Sequence, residues 1–325
     1  MSKLRSLFRL KSKYFLRNRS NNFSQMNAEG STFPGRKPPV EALKDLGYAF
    51  NSKGELRKIV DGVPGEEPFE FNVSELQQEC QVHYENVGMV VTDYVYHLLE
   101  TQENMMRLPV PSESKPASGT FIFATKEYET KDILLLLIHG SGAVRAGQWA
   151  RSLIINENLD KGTQIPYIKR AVAKDYGVLV LNTNDNYLTT GNKIPKSGTP
   201  DEHAQYVWDK YVANARASSI LIVAHSYGGV VTMNLAIKNK NEFKKRVKAI
   251  AMTDSVHGFS SKSIPDYVTQ TATNWISSNK PLDTPMSTRK GEIPMVSAGH
   301  PKHEMTSYSC MDSVFNFIEE KLAKN

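Results

Sequence analysis

The residues with the most chemical promise lie in one short segment, Ile220-Leu-Ile-Val-Ala-His-Ser226-Tyr-Gly228-Gly229. A hydrophobic run leads into a small-x-Ser-x-Gly turn and then a helix-forming stretch, the pattern of a nucleophile elbow. Its chemistry would be acyl transfer through the serine hydroxyl. Ala224 and Gly228 are expected to face each other across a tight turn that lifts Ser226 above the sheet edge. Because Ala224 replaces the first glycine of the usual motif, the flanking strand and helix carry the reading.

A serine hydroxyl is a poor nucleophile at neutral pH and needs a histidine base held by a carboxylate, here in the chain order Ser, Asp, His. Asp254 follows the apolar run Val247 to Met252, and His303 follows Met295 to Ala298. Both are candidates at strand ends, where open α/β sheets place their sites. Asp254 could equally cap a helix, and His300, His257 and His225 are rival histidines. An oxyanion would need backbone donors. Gly140, Ser141 and Gly142 after the run Ile133 to Ile138, with the Tyr227 amide, are the candidates, although such glycines also make ordinary strand-to-helix turns. His139, Arg145, Asn184 and His257 could line the site. Trp149 is expected in the core, and Asn182, Asn184 and Asn186 in turn chemistry. The sequence shows no Cys and His cluster at zinc spacing and no Walker pattern, so neither a metal nor a cofactor is expected.

These groups need a scaffold. A long amphipathic helix is expected over Val73 to Leu99, with Leu76, Cys80, Val87, Val91, Tyr94, Val95 and Leu98 on one face. Extended segments follow at Met106 to Val110 and Thr120 to Ala124. Ile133 to Ile138, apolar throughout and ended by glycine, reads as a central parallel strand buried on both faces. Helix and strand then alternate: Gln164 to Lys174, Val178 to Asn182, a helix opened by the capping box Thr199-Pro-Asp-Glu202, Ile220 to Ala224, Gly229 to Lys238, Val247 to Met252, Met295 to Ala298 and Met311 to Lys321. The predicted class is α/β, a mostly parallel central sheet with helices on both faces, of α/β-hydrolase type.

Charge divides unevenly along the 325 residues. Residues 1 to 28 hold seven basic residues and no acid, so the remaining chain, with 33 basic and 34 acidic residues, carries −1. Residues 1–39 read as a basic arm and linker and 40–325 as the folded domain. The arm fits a solvated tail, a nuclear-import patch or a mitochondrial transit peptide. A near-neutral domain argues against phosphate binding by the domain as a whole, leaving nucleic acid to indirect contact or to the arm. No apolar run approaches the ~20 residues of a membrane span. Two cysteines, Cys80 and Cys310, fit buried thiols in a reducing compartment.

Taken together, His139-Gly-Ser-Gly with Arg145-Ala-Gly-Gln-Trp149-Ala, Asn182-x-Asn184-x-Asn186-Tyr187, Ala224-His-Ser-Tyr-Gly-Gly229, Thr253-Asp-Ser-Val-His257 and Ser297-Ala-Gly with His303-Glu304 resemble the Argonaute-binding-protein-two (Arb-two) domain family in its cotranscriptional regulator branch. The resemblance covers about residues 40 to 323. It implies scaffolding roles linked to Argonaute and small-RNA pathways, heterochromatin and alternative splicing. Argonaute and chromatin-associated proteins would be the partners, in the nucleus or cytoplasm. It also implies that Ser226 is a nucleophile and His303 its matching histidine. Two functions are therefore expected: a regulatory scaffold on an α/β-hydrolase fold, or a serine hydrolase of esterase type using Ser226, His303 and Asp254.

Overall fold

The computed structural model describes residues 37–259 and 264–324. The basic arm therefore falls outside the described residues. The chain opens with helix α1 (Pro39–Asp45) and a small antiparallel sheet of strands β1 (Tyr48–Phe50), β2 (Leu56–Val60) and β3 (Val63–Pro68). Helix α2 (Gln77–Thr101) buries Val87, Val91, Val95 and Leu99 in one stripe, as its spacing requires. It starts later than the apolar spacing suggests, and Leu76, expected on its buried face, stands exposed ahead of it.

The large sheet contains β4 (Met106–Val110), β5 (Thr120–Ala124), β6 (Ile133–Ile138), β7 (Gly177–Val180), β8 (Ser219–His225), β9 (Val247–Thr253), β10 (Ala272–Ile276) and β11 (Met295–Ser297), in the order β11-β10-β9-β8-β6-β7-β5-β4. All neighbours from β7 to β11 pair in parallel; β5 alone runs against the rest, pairing antiparallel with both β7 and β4, so β4 again points the same way as the other strands. The helices are α3 (Arg151–Asn156), α4 (Leu159–Gly162), α5 (Ile165–Val172), α6 (Pro200–Val207), α7 (Gly228–Lys238), α8 (Lys240–Arg246), α9 (Asp266–Thr269), α10 (Thr306–Ser309) and α11 (Met311–Ala323). The fold is α/β, of the α/β-hydrolase type.

Strand alternation divides the core into two layers. Leu135 and Leu137 of β6 join Val178, Val180, Leu221 and Val223 against α2, α5 and α11. Leu134, Leu136 and Ile138 join Leu179, Ile222 and Ile250 against α6 and α7. The expected capping box opens α6: the Thr199 side chain accepts from the Glu202 amide, with Pro200 at the first turn. The helix then widens into a π-helical stretch, Trp208–Val212. Trp208 stacks on Phe243, with ring centroids 4.8 Å apart.

One buried cation ties this layer together. Arg246 donates to the carbonyls of Ala217, Ala213, Val212 and Ala215 and pairs with Glu242 at 3.1 Å. Replacing it with alanine takes the donor from four carbonyls in the segment leading into β8. We expect Arg246→Ala to lose about 3 kcal/mol of unfolding free energy. Urea denaturation with an unchanged midpoint would contradict this.

Among the described residues no helix is long and apolar enough to cross a membrane, and none of their His, Cys, Asp and Glu side chains form a group of three or more able to hold a metal.

Candidate functional site

The strand order reverses at β6: the chain passes to β7 on one side and later returns to β8 on the other. Loops leaving the carboxyl ends of β6 and β8 therefore diverge around a crevice, the place where open α/β sheets bind their ligands. The β6 loop is His139 to Gly142, and the β8 turn is Ser226.

Ser226 sits at φ 53° between β8 and α7, a left-handed conformation that costs a non-glycine residue about 1–2 kcal/mol. The turn is pinned on both sides: its amide donates to Thr253 O, and its carbonyl accepts from the Gly229 and Val256 amides. The expected opposition of Ala224 and Gly228 is not what makes the turn tight. Ala224 lies within the sheet between Ile138 and Met252. A Cβ on Gly228 would come within 2.5 Å of Ile138 O and 2.9 Å of His139 O, so the glycine is required by the end of β6. A Cβ on Gly140 would lie 3.0 Å from Ser226 Cβ. The β6 loop thus passes directly beside the serine.

Asp254 and His303 are brought together. Nδ1 of His303, in a short turn before α10, meets Asp254 Oδ2 at 2.6 Å. The other carboxylate oxygen accepts from the Ser277 amide at 3.0 Å, and the Asp254 amide donates to Trp275 O. Asp254 itself is held at φ 49°, and among the described residues its carboxylate bonds His303 and the Ser277 amide rather than a helix amino end. Burial pushes its carboxyl up, but the hydrogen bonds from His303 and Ser277 outweigh this and hold it below the usual range. His303 is raised above the ordinary imidazole value by the Asp254 hydrogen bond, against a smaller opposing effect of burial.

The rival histidines take other places. His225 holds Thr253 O through Nδ1 at 2.9 Å, and its ring lies 4.7 Å from that of His303. Burial, with the neighbouring His303, drives its pKa down to about 3, so it packs against His303 as a neutral ring. His300 accepts from the Lys302 amide. His257 bonds Ser255 Oγ at 2.8 Å and, among the described residues, makes no hydrogen bond to Ser226, Asp254 or His303. Nor does any hydrogen bond among them join Ser226 Oγ to His303.

Asn184 organises the β6 loop. Its Nδ2 reaches the carbonyls of Gly140 (2.8 Å), Val144 (3.2 Å) and Gly142 (3.3 Å). In a trans peptide the N–H points opposite the C=O, so the amides of Ser141 and Ala143 are turned away from Asn184. Ser141 and Gly142 are exposed, and no described acceptor takes the Ser141 or Tyr227 amide hydrogen. Asn182 anchors the following turn by accepting from the Ala146 amide. His139 is buried beneath the loop on Gly140 O, and burial lowers its pKa to about 4. Arg145 bonds the Val144 carbonyl, with no hydrogen bond to the serine, histidine or aspartate among the described residues. Trp149 is buried between Tyr167 and His225.

Ser277, Thr253 and the packing role of His225 were not readable from sequence. Ser277 follows β10, a strand with no clear pattern, and nothing local marks its amide as a carboxylate partner.

The Arb2 domain family model matches residues 40–282. Human cotranscriptional regulator ARB2A is 40% identical over 347 residues, covering 87% of this chain and 82% of that protein. A cotranscriptional regulator ARB2A homolog of Dictyostelium discoideum is 32% identical, covering 87% and 81%. Among solved structures, a histone deacetylase from Saccharomyces cerevisiae superposes with a TM-score of 0.50 at 14% identity, covering 73% of this chain and 98% of that chain. That likeness concerns the fold alone.

Proposed function

Because the chain belongs to the Arb2 domain family, we propose that it works in cotranscriptional regulation with Argonaute and chromatin-associated partners, and that it carries a serine acyl-hydrolase centre in that role. The regulatory reading is supported by the relatives' names. The chemical reading is supported above all by one observation: a 2.6 Å His303–Asp254 pair at the same sheet edge as a strained Ser226. Strained backbone of this kind gathers at functional sites, and here it falls at the serine beside the hydrogen-bonded His303–Asp254 pair.

In the proposed reaction Ser226 Oγ bonds to the acyl carbonyl carbon while its proton passes to His303 Nε2. Asp254 keeps the Nδ1–H in place and stabilises the imidazolium. The Tyr227 and Ser141 amides donate to the resulting oxyanion, with Asn184 fixing the loop that supplies the second donor. Collapse breaks the bond to the leaving group, which takes the proton from His303. Water then repeats the sequence and releases the acid.

Mixing the protein with p-nitrophenyl acetate is expected to release about one equivalent of p-nitrophenol per chain in a burst, absent in Ser226→Ala. Co-purification of Argonaute and chromatin proteins with Ser226→Ala tests the regulatory half separately. No burst with partners retained would leave a scaffold without chemistry.

A further inference from the structure

The near-neutral charge of the chain beyond the arm conceals a strong local segregation. Between Lys238 and Lys248 there are six basic residues and one acid, so the rest of the chain after residue 28 carries −6. Arg246 is internal, bound to carbonyls and Glu242. The five lysines pair with no acid among the described residues.

Three of them, Lys240, Lys244 and Lys248, line one groove of about 660 Å³ with Tyr267 and Gln270. Lys244 Nζ lies 5.5 Å from the centroid of the half-buried Tyr267 ring. Beside the groove, Lys321 of α11 reaches the carbonyl of the lining residue Gln270 at 2.6 Å and adds a further positive charge nearby. Asp266 is the one acid in the lining. The groove lies at the start of β9, whereas Asp254 follows its end. Seven strand residues put about 20 Å between them, so the groove is separate from the serine centre.

We propose that this groove binds single-stranded RNA, its lysines tracking successive phosphates and Tyr267 stacking on a base. Lysines at intervals of four residues along one segment offer a row of cations rather than a pocket for one anion. The Tyr267 ring is held in place by its hydroxyl on Ala236 O and packed against the core; the flexible Lys244 above it can turn to a phosphate and leave that ring to an unstacked base, not a duplex. RNA in particular follows from the cotranscriptional reading, which places nascent transcript beside the protein; the binding itself does not depend on Ser226.

The test is fluorescence anisotropy of a labelled 12-nucleotide oligouridylate with the full chain over a range of salt. Lys240→Glu, Lys244→Glu and Lys248→Glu together should weaken binding at least tenfold and flatten the log–log salt slope by about 2, the value for three lost phosphate contacts. The triple Gln variant should show a smaller loss in the same direction, and Tyr267→Ala a loss of about fivefold or more. Thermal unfolding checks that each variant folds. The proposal is overturned by affinity that survives the triple Glu variant, by loss that appears only when the arm's basic residues are replaced, or by salt-insensitive binding. It is equally overturned by tighter binding of oligothymidylate, or by displacement of RNA by polyglutamate at equal charge. If wild type does not bind oligouridylate, the groove has no such role, and the serine chemistry is untouched.

Discussion

Replacing His303 with alanine is expected to slow the reaction of Ser226 with a fluorophosphonate by about 10⁴-fold. The described residues offer no second base. His225, the nearest ring, has its Nδ1 on Thr253 O and is locked in the packing beside His303. His300 bonds the Lys302 amide and His257 bonds Ser255. His303 is half-exposed, with a side chain 40% accessible, so its removal should cost little stability and the loss should be chemical. A variant reacting within tenfold of wild type would show that another group deprotonates the serine.

Asp254→Asn should cost a similar factor, about 10⁴, for a reason visible in the hydrogen bonds. The Ser277 amide donates to one carboxylate oxygen, so an asparagine there keeps its carbonyl on Ser277 and turns its NH₂ toward His303. That group donates, forcing Nδ1 to accept and moving the imidazole proton to Nε2, where it can no longer receive the serine's proton. The pH profile separates this from simple misfolding. In wild type the base is active only when neutral, and Asp254 raises its pKa above the ordinary 6.5. The labelling rate should therefore climb with pH through a point above 6.5. Without the carboxylate the lowering effect of burial outweighs the smaller raising effect of Glu304, so the residual rate should climb at lower pH. An unshifted inflection would mean that Asp254 does not govern His303.

The elements that position this site were legible where a single physical signal dominated. Ile133–Ile138 and Ile220 to Ala224, the latter the core of Ser219–His225, are buried on both faces and read as continuous apolar runs. The Thr199 box is a local hydrogen bond written in four residues. Ser226, Asp254 and His303 were readable because each follows a strand. By contrast β10, Ala272-Thr-Asn-Trp-Ile276, mixes polar and apolar residues and takes its place from pairing with Met252 and Val296 across the sheet. The small sheet was missed because β3 is largely exposed and contains two prolines and a glycine. The contacts of Gly228 and Asn184 also lay beyond the sequence. Each depends on the end of a strand distant in the chain, Gly228 meeting Ile138 and Asn184 meeting Gly140. The lysine groove was hidden for a different reason, since a net charge averages over faces that never meet.

The serine centre is the claim from which most of this account proceeds, and the direct measurement is mass spectrometry of the intact and digested full chain after exposure to a fluorophosphonate. The account predicts one adduct per chain, located on Ser226 and absent from Ser226→Ala. A folded wild-type protein that stays unmodified, or an adduct found on another residue, would contradict it.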